Sequence, residues 1–317
     1  MLGARRRRTG AAIASCFASP SGTHREDAPG RSRGTGSYGA GLARFLAGRG
    51  ETVLELSRTA RAERRLRGKD DELDAVRTAR AALASQTLAL PRAGEQREAL
   101  RLLLVARRSA VDVRREALTQ LRAVIVTAPT RLREELRGLS EGKLLDRCSR
   151  LRRTTAAADE AATRLVLRSL ARRLQAATIE AAELEQEIVA HVRALAPALL
   201  DEPGVGPIVA AQLIVAWSHR GRLRSEACFA RLAGVAPIPA SSGQTTRHRL
   251  SRGGDRQLNR ALHTIVLHRR QHDPATRDYI AKRIAEGKSR RDATRLLKRY
   301  LAHHLYRLLE NQEPLMA

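Results

Sequence analysis

The chain is poor in aromatic residues and in cysteine. Phe, Trp and Tyr make up 3% of its 317 residues, too few for a surface that stacks single-stranded bases on aromatic rings. Cys16, Cys148 and Cys228 have neither the spacing of a zinc site nor the even number of a disulfide framework, which predicts a reducing, cytoplasmic location. Without an apolar run near the roughly 18 residues of a membrane span, no membrane partner is expected.

Acidic residues are scarce relative to basic ones. The chain has 59 Lys and Arg against 33 Asp and Glu, a formal net charge of +26. Such an excess predicts a polyanionic partner, because basic side chains that neutralise phosphates release condensed counterions. With 43% hydrophobic and 29% charged residues, the composition is that of a folded globular protein.

Changes in composition divide the chain into four segments. The first combines Arg5–Arg8 with Gly, Pro and Ser and is predicted to be disordered and basic. The second predicts a helix through Leu42 and Leu46, a brief strand at 52–56 and a helix from 70 to about 88. The third carries long helices and the fourth a compact helical region. Their bounds are 1–33, 34–94, 95–198 and 199–317.

Two long stretches have apolar residues at helical spacing. One runs from about 95 to 126 and is ended by Pro129. The other covers about 143 to 195, with a stripe close to a coiled-coil seam. We interpret these helices as a coiled-coil arm that acts as a spacer or joins two copies into a homo-oligomer. The stripe comprises Leu167, Leu170, Leu174, Ala177, Ala181, Leu184, Ile188 and Leu195.

A glycine-rich turn lies between two helical segments near residue 204. Gly204 and Gly206 flank Val205, a pattern typical of a helix-hairpin-helix motif. Such a turn exposes the first backbone N–H groups of the next helix, which hold a DNA phosphate without reading sequence. The alternative is a plain turn whose small residues allow close helix packing.

An arginine-rich loop follows at 220–260. Nine arginines accompany only Glu226 and Asp255 there, and Ser241-Ser242-Gly243 offers a small hydroxyl. A serine among guanidinium groups suits attack on a phosphodiester, because arginines stabilise charge on phosphoryl oxygens. The alternative is a polar loop whose arginines face solvent or backbone. The arginines expected to contact DNA are Arg247, Arg249, Arg252 and Arg256.

Asp71 and Asp74 form a third candidate site. Carboxylates three residues apart at a helix start lie on one face and can share a divalent cation. Helix capping explains the same pattern.

Together, these stretches resemble the insertion-sequence 110 family of DEDD transposases, relatives of the Piv DNA invertase. The resemblance covers nearly everything from Gly34 onward. Its carriers are the runs 34–39 (GTGSYG), 68–75 (GKDDELDA), 203–206 (PGVG), 234–237 (GVAP), 242–243 (SG) and 252–262 (RGGDRQLNRAL).

The resemblance implies a mainly α chain with a partial RuvC-like RNase H α/β domain, a coiled-coil arm and a helical C-terminal transposase domain. It also implies Mg²⁺ bound by acidic residues, of which Asp71 and Asp74 match the last two. A serine becomes joined to DNA during strand exchange; Ser242 matches it, and Ser241 is the alternative. Some members use a structured guide RNA, which is therefore a further expected partner.

Two of the four acidic residues have no counterpart. The family's first Asp lies on an N-terminal strand for which the chain has no candidate, and Arg33 stands where its Glu is expected. We therefore expect residues 1–33 to be a frameshifted or misplaced start. The predicted function is a DNA transposase or site-specific recombinase with impaired catalysis; the alternative is a non-catalytic nucleic-acid-binding remnant.

Overall fold

The described part of the chain is almost entirely helical. The computed structural model describes residues 39–55, 80, 82–84, 90–152, 157–240, 248–249, 251 and 253–311, and elements are numbered within these. The helices are α1 (Ala40–Gly48), α2 (Glu95–Val126), α3 (Thr130–Leu136), α4 (Glu141–Ser149), α5 (Ala158–Leu195), α6 (Pro207–Trp217), α7 (Glu226–Leu232), α8 (Arg256–His272), α9 (Pro274–Ala285) and α10 (Arg290–Asn311), with a 3₁₀ turn at Pro197–Leu199. The prediction of a mainly α chain is confirmed.

The chain separates into two compact units. One contains residues up to 94 together with 216–311, and the other contains 95–215. The four segments proposed from composition remain a prediction. Among the described helices, none is both long and apolar enough to cross a membrane.

The 95–215 unit is built on two long helices. Helix α2 packs along α5, and α4 packs on α5 as well. Leu121, Leu132 and Leu167 are fully enclosed in its apolar cluster. Cys148 lies in the same cluster, where burial raises the pKa of its thiol to about 11 and keeps it protonated at neutral pH. This cysteine is therefore part of the core rather than a reactive group.

The predicted length of the second long helix is wrong. Within 143–195 the structure has α4 and α5 with an interruption between them, and the interruption lets Leu144, Cys148 and Leu151 all join the cluster around Leu167. Most of the predicted seam is buried inside the chain, including Leu167, Leu174 and Ile188. A second copy would have to contact other residues.

The described part of the other unit is a small helical bundle with one β-hairpin. Helix α10 packs on α7, α8 and α9. Phe229 of α7 and Tyr306 of α10 place their ring centroids 5.9 Å apart. The Tyr306 hydroxyl donates a 2.6 Å hydrogen bond to the carbonyl of Leu223. These contacts hold the segment before the hairpin against the C-terminal helix.

Only some of the elements predicted for the N-terminal region lie in residues that the structure describes. Helix α1 confirms the predicted helix through Leu42 and Leu46. The structure describes residues 52–55 of the strand expected at 52–56. Glu55 makes a single β-bridge there, and 51–54 have no regular structure. The helix expected from 70 to 88 lies largely outside the described residues, and the RuvC-like domain stays a prediction.

Candidate nucleic-acid interface

A two-stranded hairpin brackets the serine-bearing segment. Strands β1 (Ile238–Pro239) and β2 (His248–Arg249) are antiparallel, with Ile238 opposite Arg249 and Pro239 opposite His248. Pro239 contributes no N–H to the ladder, as is typical of a short edge strand. The hairpin thus brings together the two ends of the segment that contains Ser242. Ser242 and Arg247 themselves lie outside the described residues.

Two glycines join the chain before the hairpin to the chain after it. Gly234 has φ +67°, and a Cβ on Gly254 would lie 2.4 Å from the backbone nitrogen of Gly234. The backbone N–H of Asp255 donates a 2.7 Å hydrogen bond to the carbonyl of Leu232. The carboxylate of Asp255 then caps α8 by accepting from Gln257 and Leu258. The chain at 234–237 and the chain at 253–262 therefore meet at a direct backbone contact.

A cleft of about 680 Å³ lies beside this junction. One wall is formed by the chain at 235–237 and by β2, and the other by the turn between α9 and α10 and the first half of α10. Among the described residues that line it, five are Lys or Arg and one, Asp292, is acidic. The basic ones are Arg249, Lys288, Arg295, Lys298 and Arg299, accompanied by His248.

The single acid in the lining is already engaged. Asp292 accepts a 2.6 Å hydrogen bond from the Ser289 hydroxyl and pairs with Arg295 at 3.0 Å. These contacts, with Ser289 the largest, lower the pKa of the Asp292 carboxyl. The carboxylate therefore balances Arg295, and among the described residues no ion pair neutralises the other cations of the cleft.

Lys298 is held in place by a hydrogen bond to a residue of α8. Its ammonium donates a 2.7 Å hydrogen bond to Oδ1 of Asn259. Asn259 in turn donates 2.7 Å from Nδ2 to the carbonyl of Ala233. A lysine of α10 is thus tied to α8 and to the chain that leads into the hairpin.

The predicted DNA-contacting arginines have different surroundings. Arg249 lines the cleft, whereas Arg256 is exposed at the first turn of α8 and is not part of the lining. Arg252 lies outside the described residues. Arg222, one of the nine arginines of the loop, faces the backbone, with Nε donating to the carbonyl of Leu90 at 3.3 Å. For that arginine the backbone-facing alternative holds.

The Gly204-Val205-Gly206 turn lies in the 95–215 unit. Gly204 has φ +81°, Val205 is buried and its N–H donates to the carbonyl of Glu202, and Gly206 is exposed just before α6. The left-handed backbone explains Gly204. A 3₁₀ turn rather than an α-helix lies immediately upstream, and a helix-hairpin-helix function remains a prediction.

The metal prediction also remains open. Across the part of the chain that the structure describes, no three His, Cys, Asp or Glu side chains cluster in a way that could hold a metal ion. The expected ligands Asp71 and Asp74 lie outside that part.

The cations of α10 were not singled out in the sequence. The predicted arginine-rich loop ends at residue 260, whereas Lys288, Arg295, Lys298 and Arg299 form the far wall of the cleft. The signal was present, because residues 288–299 contain six Lys or Arg and one acid. The sequence alone does not show that α10 and the hairpin line the same cleft.

Two family models match the chain. Residues 196–281 match the model described as transposase IS116/IS110/IS902 family. Residues 32–128 match the DEDD transposase model of IS110, described as a transposase.

Curated relatives come from two insertion elements. The chain is 35% identical over 150 residues to an uncharacterised 43.6 kDa protein of insertion element IS110 from Streptomyces coelicolor, covering 46% of this chain and 37% of that protein. It is 32% identical over 117 residues to an uncharacterised 42 kDa protein of insertion element IS900 from Mycobacterium paratuberculosis, covering 36% and 29%. The matches thus span about a third of the length of each relative.

Proposed function

Because this chain belongs to the IS110 family of insertion-sequence transposases, we propose that it binds DNA and exchanges strands through a serine nucleophile. The observation that carries this proposal is the basic cleft beside the hairpin whose connecting segment contains Ser242. Ser242 lies three positions after Pro239, so its Cα is at most about 11 Å from the end of β1. The proposed reaction requires that this serine reach a phosphodiester held by the cations of the cleft.

The proposed step is a transesterification at phosphorus. The Ser242 hydroxyl oxygen attacks the phosphorus of one DNA phosphodiester, so a serine–phosphate ester forms and the bond to one sugar oxygen breaks. The proton of the serine ends on the departing sugar hydroxyl, which leaves atoms and charge balanced. Arg249 and the other cations of the cleft stabilise the negative charge that grows on the phosphoryl oxygens.

The acidic pair would supply a metal-binding function. Carboxylate oxygens are the ligands that Mg²⁺ prefers, and Asp71 and Asp74 would be the residues that hold it. When bound, the ion supplies further stabilisation of phosphoryl charge.

Further contacts complete the proposal. The first-turn N–H groups beside Gly204, Val205 and Gly206 would bind DNA backbone. Arg247, Arg252 and Arg256 would contact phosphates around the cleft. A structured guide RNA is a further proposed partner. A second copy of the chain would pack on exposed apolar residues of the arm, such as Val105 and Ile179. The proposed location of the protein is the cytoplasm.

Trapping of a covalent protein–DNA adduct tests the serine. The wild-type chain, Ser242→Ala and the neighbouring Ser241→Ala are incubated with Mg²⁺ and a plasmid that carries the coding region with its flanking DNA. After denaturation and nuclease digestion, the remaining nucleotide is located by peptide mass spectrometry. We expect an adduct on Ser242 in the wild-type chain and in Ser241→Ala, and none in Ser242→Ala.

Other results have defined meanings. Adducts at wild-type yield in Ser242→Ala and none in Ser241→Ala would assign the nucleophile to Ser241. DNA binding without adduct or cleavage by the wild-type chain would contradict the enzymatic proposal and favour the non-catalytic binding remnant.

A further inference from the structure

Lys298 is a half-buried cation without a described carboxylate partner. It lies on α10, faces the cleft, and uses one hydrogen of its ammonium on Asn259. Within the described residues no Asp or Glu forms an ion pair with it; the nearest acid in the cleft, Asp292, is taken by Ser289 and Arg295. A charge removed from water without a counter-ion is unfavourable, so the described surroundings of Lys298 leave room for an anionic partner.

Burial and a neighbouring arginine both disfavour the charge of Lys298. Burial, followed by the positive charge of Arg295, lowers the pKa of its ammonium. The walls add Arg249 and Arg299. An anion in the cleft would relieve both the burial and the repulsion, whereas a neutral ligand would relieve neither.

We propose that Lys298, positioned by Asn259, contacts a backbone phosphate of DNA bound in the cleft. The inference rests on the proposed function and deepens it by naming the residue that holds the strand beside the serine. Asn259 is a positioning residue, because it fixes the ammonium through Oδ1 and is itself fixed by the carbonyl of Ala233.

The distribution of charge favours a polymer over a single small anion. Cations reach from Arg249 on the hairpin to Lys288 at the start of the α9–α10 wall. One phosphate can contact two or three of them at hydrogen-bond distance, while successive phosphates of one strand can contact them all.

Binding to duplex DNA of arbitrary sequence, about 30 base pairs long and measured between about 50 and 200 mM salt, tests this proposal. The full-length variants are Lys298→Gln and Asn259→Asp, which places a carboxylate against the lysine. The matched control is Lys282→Gln, an exposed lysine of α9 outside the cleft. Each variant lowers the net charge by one unit, so long-range attraction changes equally in all three.

The expected result separates the cleft from the control. Lys298→Gln and Asn259→Asp bind about tenfold more weakly at the lower salt. For both, the slope of log K against log salt falls by about 0.9, the value for one lost phosphate contact. Lys282→Gln keeps the wild-type slope. A purely structural role of Asn259 would weaken binding without changing the slope.

Two results would overturn the proposal. One is a slope for Lys298→Gln equal to that of Lys282→Gln. The other, measured with an RNA duplex of equal length, is a loss for Lys298→Gln that occurs with RNA and not with DNA, which would assign the cleft to RNA. If the wild-type chain does not bind DNA at all, the proposed function fails; if it binds and the slopes coincide, only this inference fails.

Chemical labelling gives an answer even where a variant fails to fold. In the wild-type chain, acetylation of lysines with an amine-reactive ester is quantified by mass spectrometry with and without the duplex. We expect DNA to protect Lys298 several-fold more than Lys282. Equal protection of the two lysines would contradict the proposal.

Discussion

At the scale of single residues, Gly254 leaves no room for a side chain. A side chain there would begin 2.4 Å from the nitrogen and 2.5 Å from the Cα of Gly234, and both of these are backbone atoms that cannot rotate away. Gly253, one residue earlier, has open space around its Cβ direction. Adjacent glycines of one motif therefore have different roles.

This difference predicts the effect of an alanine at each position. We expect Gly254→Ala to lower the free energy of unfolding by about 2 to 3 kcal/mol, because the two chain segments must move apart. Gly253→Ala should stay within about 0.5 kcal/mol of the wild-type chain. Urea unfolding followed by far-ultraviolet circular dichroism measures both. Equal stabilities would mean that the contact relaxes freely.

Sequence reasoning found part of the candidate site at this scale. Arg249 was expected near the serine and lines the cleft, whereas Arg222 was counted with it and instead binds backbone carbonyls. The sequence does not distinguish these two arginines, because the exposure and the partners of each depend on distant segments of the chain. Lys298 and Asn259 lie 39 residues apart, and only the folded chain reveals that they are hydrogen-bonded.

At the scale of elements, the C-terminal helices begin with side-chain caps. Asp255 caps α8, Asp273 caps α9 through Ala275 and Thr276, and Ser289 accepts from the N–H of Asp292 at the start of α10. Such caps satisfy N–H groups that have no partner inside the helix. They fix where each helix begins, and hence where the walls of the cleft lie.

The cap of α10 predicts a dependence of stability on pH. Hydrogen bonds from Ser289 and Arg295 lower the pKa of Asp292 below its usual value. Its contribution is therefore fully present above the unfolded-state pKa of about 3.9 and is lost as pH falls through the lower folded value. Asp292→Asn should be less stable than the wild-type chain by under about 1 kcal/mol near pH 6, since the group is exposed.

Urea unfolding of both proteins as the pH is lowered from about 6 to 3 checks this prediction. The difference between them should shrink toward zero below about pH 4. Asp278→Asn, an exposed position on α9, is the control and should differ little from the wild-type chain throughout. A difference that grows on acidification would have the wrong sign.

Helices were predictable from periodicity, but their partners were not. The bounds of α2 followed from its apolar spacing and from Pro129. The apolar stripe of α5 is predicted as a coiled-coil seam, whereas most of it packs inside the chain. Periodicity says that a face must be covered and carries no information about which helix covers it.

At the scale of the whole molecule, charge is the dominant feature. The net charge of +26 is the excess of basic over acidic side chains, so it would remain even if every Asp and Glu formed an ion pair. Several of those pairs, such as Arg107 with Glu185 at 2.8 Å, join neighbouring helices, so basic side chains also have structural roles. The remaining cations are available for a polyanion.

This charge predicts strongly salt-dependent DNA binding. If about six or more phosphates are contacted, affinity for duplex DNA should fall about a thousandfold or more between about 50 and 200 mM salt. Fluorescence anisotropy with a labelled duplex measures it. Affinity that is insensitive to salt would place the cations away from the interface.

The contact between Gly234 and Gly254 has a consequence for inheritance. Substitutions accumulate in a gene that is no longer under selection, and a surface substitution away from special positions usually changes stability by no more than about 0.5 kcal/mol. A replacement at Gly254 is different, because it separates two segments that together shape one wall of the cleft. A degraded copy that still encodes both glycines retains the means to form this wall, whereas one that has lost either glycine has lost that junction whatever else survives.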